Sequence, residues 1–98
     1  MALVGNHIFS GTVSGGTLTT LYTVPSNTTT FINKLLLSNY NASASNVQVN
    51  INSSVTFEIQ LAAYGYVDIG GFYIEAGEIL KAVSTTGAAI LCSGIELT

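Results

Sequence analysis

Apolar and polar residues alternate along much of this chain with a period of two, and no ten-residue window sustains the i, i+3, i+4, i+7 spacing of an amphipathic helix. The clearest case sets Val47, Val49 and Ile51 against Gln48, Asn50 and Asn52, then Val55, Phe57, Ile59 and Leu61 against Thr56, Glu58 and Gln60. Successive side chains on a strand point to opposite faces, so each run reads as a strand with one apolar side. Asn52, Ser53 and Ser54 supply turn chemistry between the runs. A hairpin follows, with both apolar sets on the same face of a sheet.

The rest of the chain divides in the same way. Residues 8–13 predict a first strand, ended by Ser14-Gly15-Gly16. Leu18, Tyr22 and Val24 give a second run that stops at Pro25, which cannot donate a ladder hydrogen bond and belongs at a strand end or an edge. Within the next strand, residues 31–37, Leu35-Leu36-Leu37 places apolar side chains on both faces. Such a strand needs the core on one side and further cover on the other. Residues 39–46 form an uncharged polar loop, and residues 64–69 and 72–75 two short strands parted by Gly70-Gly71. The last two segments, 78–84 and 88–97, flank Thr85-Thr86-Gly87. About eight short strands at intervals of about ten residues predict an all-β antiparallel sandwich of the jelly-roll kind. A chain of 98 residues holds one core, so we expect a single domain over residues 7–98, preceded by an N-terminal arm of residues 1–6.

Composition narrows the function. Only seven residues are charged, Lys34, Lys81, Asp68, Glu58, Glu75, Glu78 and Glu96, for a net charge of −3. Two lysines and no arginine neutralise about two phosphates, against the six to ten of a typical nucleic-acid binder, so neither nucleic acid nor an anionic membrane is expected as a partner. The uncharged stretches are rich in Ser, Thr, Asn and Gly, short of the roughly 20 apolar residues that span a bilayer. The N-terminal segment lacks the basic region and apolar run of a secretory signal, which implies synthesis in the cytoplasm. A single cysteine, Cys92, excludes an intrachain disulfide and a cysteine-based zinc cage within one chain.

Catalytic chemistry is scarce. His7 is the only histidine and lies near the terminus, where a solvated or interfacial role is the plain reading. Cys92 sits in an apolar run and reads as a buried thiol without an electropositive neighbour. Asp68, Glu75 and Glu78 are close in sequence but match no calcium loop, and Glu75-Ala76-Gly77-Glu78 reads as a solvated turn. Three Asn-x-Ser/Thr matches begin at Asn27, Asn41 and Asn52, but with 8 Asn and 22 Ser plus Thr chance alone gives about two. No enzyme, cofactor or metal site is expected.

What stands out is apolar surplus, 48% of the chain, including an aromatic cluster of Tyr64, Tyr66, Phe72 and Tyr73. Interface cores are depleted in Lys, Glu and Asp and enriched in aromatic residues, as these segments are. These four residues, together with Leu3 and Val4 on the arm, are therefore the candidate interface residues. Ordering a small β domain costs about as much as its own core returns, so burial between copies is expected to help.

Residues 21–39, LYTVPSNTTTFINKLLLSN, followed by a polar loop and the alternating Val47-Gln-Val-Asn-Ile strand, resemble small β-sandwich virion proteins of tailed bacteriophages. Gly77-Glu-Ile-Leu-Lys-Ala-Val-Ser and the closing Ile90-Leu-Cys-Ser-Gly-Ile-Glu-Leu are similar to the second half of that pattern. The resemblance covers about residues 18–97 and rests on fold motifs. It implies a capsid decoration or cement protein, a homo-oligomer and commonly a trimer, bound to the major capsid protein on the outer surface of the virion. It brings no catalytic residues. Three classes of function follow: a virion structural protein of head or tail, a carbohydrate-binding module stacking sugars on the aromatic cluster, and an enzyme, for which one histidine and one cysteine leave no nucleophile, base and orienter to assemble.

Overall fold

The computed structural model describes residues 3–13, 15–52 and 54–98, and for residues 3–7 it describes the backbone alone. Nine strands form two antiparallel sheets packed face to face as a sandwich, without helices among the described residues. They are β1 (Leu3–Val13), β2 (Thr19–Thr23), β3 (Thr29–Ser38), β4 (Ser45–Ile51), β5 (Ser54–Leu61), β6 (Tyr66–Asp68), β7 (Phe72–Ile74), β8 (Ile79–Ser84) and β9 (Ala88–Leu97). One sheet has five strands in the order β1-β9-β3-β6, with β7 also on β3. The other has four, β2-β8-β4-β5.

The period-two pattern accounts for the packing. Ile32, Leu35, Leu37, Ile90 and Cys92 from the five-stranded sheet meet Val47, Val49, Leu80 and Ala82 from the four-stranded one, all nearly or fully buried. Phe57 and Phe72 meet across the two sheets with ring centroids 5.3 Å apart. The expected hairpin is β4-β5, in which Val47 opposes Ile59 and Val49 opposes Phe57 on the inner face. A bulge follows Val49, so Val55 opposes Asn50 and turns outward, 52% exposed, instead of joining the inner set as its spacing suggested. One extra residue in a strand shifts every later side chain to the opposite face.

Bulges also shape the five-stranded sheet. β1 and β3 flank β9, and each bulges at the same level, between His7 and Phe9 and between Ile32 and Lys34. Opposite the β3 bulge, β6 and β7 are separated by Gly70-Gly71, where a Cβ on Gly70 would lie 2.5 Å from the Asn33 carbonyl oxygen. Gly71, with φ of 105°, donates its N–H to the Ile32 carbonyl at 2.7 Å. The two short strands thus act as one interrupted edge that follows the bend in β3. β1 begins earlier than the sequence suggested. Leu3 to Asn6, expected in an arm, pair with residues 94–97 because the ten-residue β9 offers partners as far as Leu97, while Met1 and Ala2 lie outside the described residues.

Candidate functional site: the outer face of the five-stranded sheet

Partners across an antiparallel ladder share a face, so the register gives the composition of the outer surface row by row. Ser10, Leu91, Leu36 and Asp68 lie opposite one another across β1, β9, β3 and β6. Next to them runs Thr12, Ala89, Ser38 and Tyr66. Toward the other end come Ser93 with Lys34, then Ile95, Phe31 and Tyr73. Leu36 is therefore the second apolar face that the Leu35-Leu36-Leu37 run predicted. Leu35 and Leu37 are fully buried, whereas Leu36 points away from the core and is half-buried.

Leu36 and Leu91 stand among the small side chains Ser10, Thr12, Ser38 and Ala89, and together they line a shallow groove of about 340 Å³. At the far end the Phe31 and Tyr73 rings touch with centroids 4.8 Å apart. Among the described side chains in these rows, only Lys34 and Asp68 carry charge, one of each sign. The Asp68 carboxylate accepts the N–H groups of Gly70 at 2.9 Å and Leu35 at 3.1 Å. Those bonds, Gly70 foremost, hold its pKa below the ordinary carboxylate value. Asp68 thus satisfies backbone donors beside the β3 bulge.

The fold divides the aromatic cluster expected from sequence. Tyr66 and Tyr73 share this outer face, 75% and 61% exposed, but pair with Ser38 and Phe31, seven residues apart along β3 and roughly 20 Å at about 3.3 Å per residue. Phe72 opposes Ile32 and turns inward to Phe57. Tyr64, 69% exposed, occupies the turn before β6 with φ of 59°, a conformation that bulky residues rarely adopt. No single ring platform is assembled from these four. For Leu3 and Val4 the structure gives register alone, opposite Leu97 and Glu96.

The remaining titratable groups serve the fold. Tyr22 spans the sandwich from β2, its hydroxyl donating to Glu96 Oε2 at 2.5 Å and lying 2.8 Å from Thr30 Oγ1. Burial, and then the bond to the Glu96 carboxylate, push its pKa up to about 12. Cys92 is fully buried, and burial pushes its thiol up to about 12 as well. The acidic turn is built as expected: Glu78 Oε1 accepts the Glu75 N–H at 2.7 Å and Gly77 takes a φ of 82°. No group of three His, Cys, Asp or Glu side chains among the described residues is placed to hold a metal ion.

The polar loop holds more structure than its composition suggested. Asn39, 1% exposed, donates from Nδ2 to the carbonyls of Ser43 and Ala62 at 2.8 and 3.0 Å, and its Oδ1 accepts the Asn41 N–H at 3.0 Å. Asn41 in turn donates to the Gly87 carbonyl at 3.0 Å. The Asn-x-Asn spacing of residues 39 and 41 is the one signal that hinted at this, since Asn side chains bind nearby backbone.

On the opposite side of the molecule, the outer face of the four-stranded sheet sets Gln48 against Glu58 and Val83, Asn46 against Gln60, and Asn50 against Lys81. Gln48 Nε2 lies 3.4 Å from Glu58 Oε2. Two architecturally similar sheets therefore present different chemistry outward. The chain is an all-β sandwich whose outer faces differ, one richer in leucine and aromatic side chains and the other in Asn and Gln. No family model, curated protein or solved structure matches it. No helix among the described residues is long and apolar enough to cross a membrane.

Proposed function

We propose that this chain is a non-enzymatic structural protein of a tailed-phage virion, a capsid decoration or cement protein that binds the major capsid protein at the outer surface as a homo-oligomer, a trimer by the resemblance of its sequence. One observation carries the reading: the outer face of the five-stranded sheet gathers Leu36, Leu91, Ile95, Phe31, Tyr66 and Tyr73 among small Ser and Thr side chains, with Lys34, Asp68 and, at its edge, Glu75 as the charges among its described side chains. A surface of this kind is suited to lasting contact with other protein, since interface cores lose charged residues and gain tyrosine and other aromatics. The carbohydrate-binding alternative drew on the four-residue aromatic cluster, and the separation of Tyr66 from Tyr73 and the inward turn of Phe72 leave it without that platform.

The test is co-purification. Particles are banded on a density gradient, heads and tails are separated, and the chain is quantified against the major shell protein. A fixed stoichiometric ratio in the head fraction is expected. A fixed ratio in the tail fraction places the chain in the tail instead, and absence from both overturns the reading. Attachment to shells lacking the protein is expected to survive a rise from about 0.1 to 1 M NaCl, because few charges are available to be screened.

A further inference from the structure

Three features of the outer face of the five-stranded sheet bear on what covers it. The first is area: ten residues at about 3.3 Å by four strands at about 4.8 Å give roughly 600 Å², the lower end of what each partner contributes to a standard interface. A peptide in the groove would leave most of that uncovered, whereas another sheet of equal length matches it. The second is charge. This face carries both signs, Lys34 and Asp68 in its rows and Glu75 at its edge, where the Glu75 carboxylate accepts the Thr29 hydroxyl at 3.0 Å. Two copies approaching through this face can set Lys34 of one against Asp68 or Glu75 of the other. The four-stranded sheet also carries one charge of each sign outward, Glu58 and Lys81, but its outer rows hold mostly Asn and Gln in place of leucine and aromatic side chains. The third is shape, because the same face holds both a groove of about 340 Å³ beside Leu36 and Leu91 and two strongly exposed tyrosines, Tyr66 and Tyr73.

We infer that copies of this chain associate with one another through the outer face of the five-stranded sheet, with the Leu36 and Leu91 groove receiving an exposed tyrosine of a neighbour. The inference deepens the proposed function and rests on its reading of the chain as a self-assembling structural protein. In a closed ring each copy turns this face toward the symmetry axis, which removes the apolar surface from water and leaves no unsatisfied copy to seed a filament. Tyrosine anchors seated in desolvated pockets are the side chains that dominate such contacts.

The experiment is light scattering after gel filtration on the full chain and on Leu36→Glu, Leu91→Glu and Val83→Glu, with circular dichroism to show that each is folded. The parent and Val83→Glu are expected at a multiple of the 10.2 kDa chain mass, and the two leucine variants at that mass itself. Cysteine labelling answers the same question without burying a charge. Thr12→Cys on the proposed contact face is expected to react with a maleimide roughly tenfold more slowly than Thr20→Cys on the other sheet, as a contact that excludes water requires. A monomeric parent at high concentration overturns the inference, as do leucine variants that stay oligomeric with Thr12→Cys labelled as fast as Thr20→Cys. An oligomer that uses this face but never joins particles leaves the inference standing and overturns the virion reading alone.

Discussion

Both sheets bury one face against the other, and both obey the same alternation, yet their outer faces differ in kind. Across the five-stranded sheet run Leu91, Leu36, Ile95, Phe31 and Tyr73 among Ser10, Thr12, Ser38 and Ser93, with Lys34, Asp68 and the edge residue Glu75 as charges. The corresponding rows of the four-stranded sheet are Asn46, Gln48, Asn50, Glu58, Gln60 and Lys81, with Val55 and Val83 among them. A domain that needed only to be soluble would place polar residues on both, since antiparallel sheets commonly keep one face in water. The two faces therefore differ in what they offer a neighbour. On the proposed reading, one is left to water and polar contacts and the other meets protein.

The contrast is sharpest within β3, where Leu35 and Leu36 are adjacent and of the same type but face opposite ways. Leu35→Ala removes a fully buried side chain and is expected to cost about 2–5 kcal/mol of domain stability, read by chemical denaturation. Leu36→Ala is expected to leave the stability of the isolated domain within about 1 kcal/mol and to lower the oligomer's concentration-dependent melting temperature. Equal losses for the two at low concentration would break the distinction between core and contact face.

Alkali acts on the region between the sheets. Tyr22 and Cys92 are held protonated in the fold, up to about 12, whereas their ordinary values are 10.0 and 9.0. Between those values the unfolded chain has lost its protons and the folded chain has kept them. Their contribution to stability is therefore full below about pH 9 and is lost as pH rises to about 12. Asp68, on the outer face, has the opposite sign: its lowered pKa stabilises above the ordinary value of 3.8 and that contribution is lost in stronger acid. Thermal melts across pH are expected to show a plateau with the alkaline side governed by Cys92 and Tyr22. Cys92→Ala is expected to shift the start of the alkaline fall toward pH 10.

Smaller effects separate the bridging residues from the exposed ones. Tyr22→Phe removes the hydroxyl shared with Thr30 and Glu96, and the loss is expected to be about 1–2 kcal/mol, since Thr30 is fully buried. Tyr64→Asn is expected to stabilise by up to about 1 kcal/mol, because asparagine tolerates the left-handed backbone that tyrosine does not favour. On the polar face, Gln48→Val is expected to change stability by no more than about 0.5 kcal/mol and to leave the oligomer mass unaltered.

Much of this contrast was legible in the sequence and part was not. The run Leu35-Leu36-Leu37 announced a strand apolar on both faces, because alternation cannot place three consecutive leucines on one side. The β4-β5 hairpin and the turns at Gly15-Gly16, Gly70-Gly71 and Thr85-Thr86-Gly87 were readable from alternation and turn chemistry. Bulges were not, since they are properties of a pair of strands, and one of them reversed Val55. Nor was the division of the aromatic cluster. Tyr66, Phe72 and Tyr73 are close in sequence, but the Gly70-Gly71 break sends them to opposite halves of β3 and, for Phe72, to the opposite face. The buried Asn39 was hidden by its own composition, because a polar loop reads as solvated until the backbone carbonyls it binds are in place.

The asymmetry of the two outer faces is tested most directly by hydroxyl-radical footprinting read by mass spectrometry, over a concentration series that spans assembly. Leu36, Leu91, Ile95 and Tyr73 report one face, and Val55 and Val83 report the other. Oxidation of the first group is expected to fall together as the oligomer forms while that of Val55 and Val83 stays constant. Loss of reactivity at Val55 and Val83 with the first group unchanged would contradict it, and so would a mass increase that protects neither.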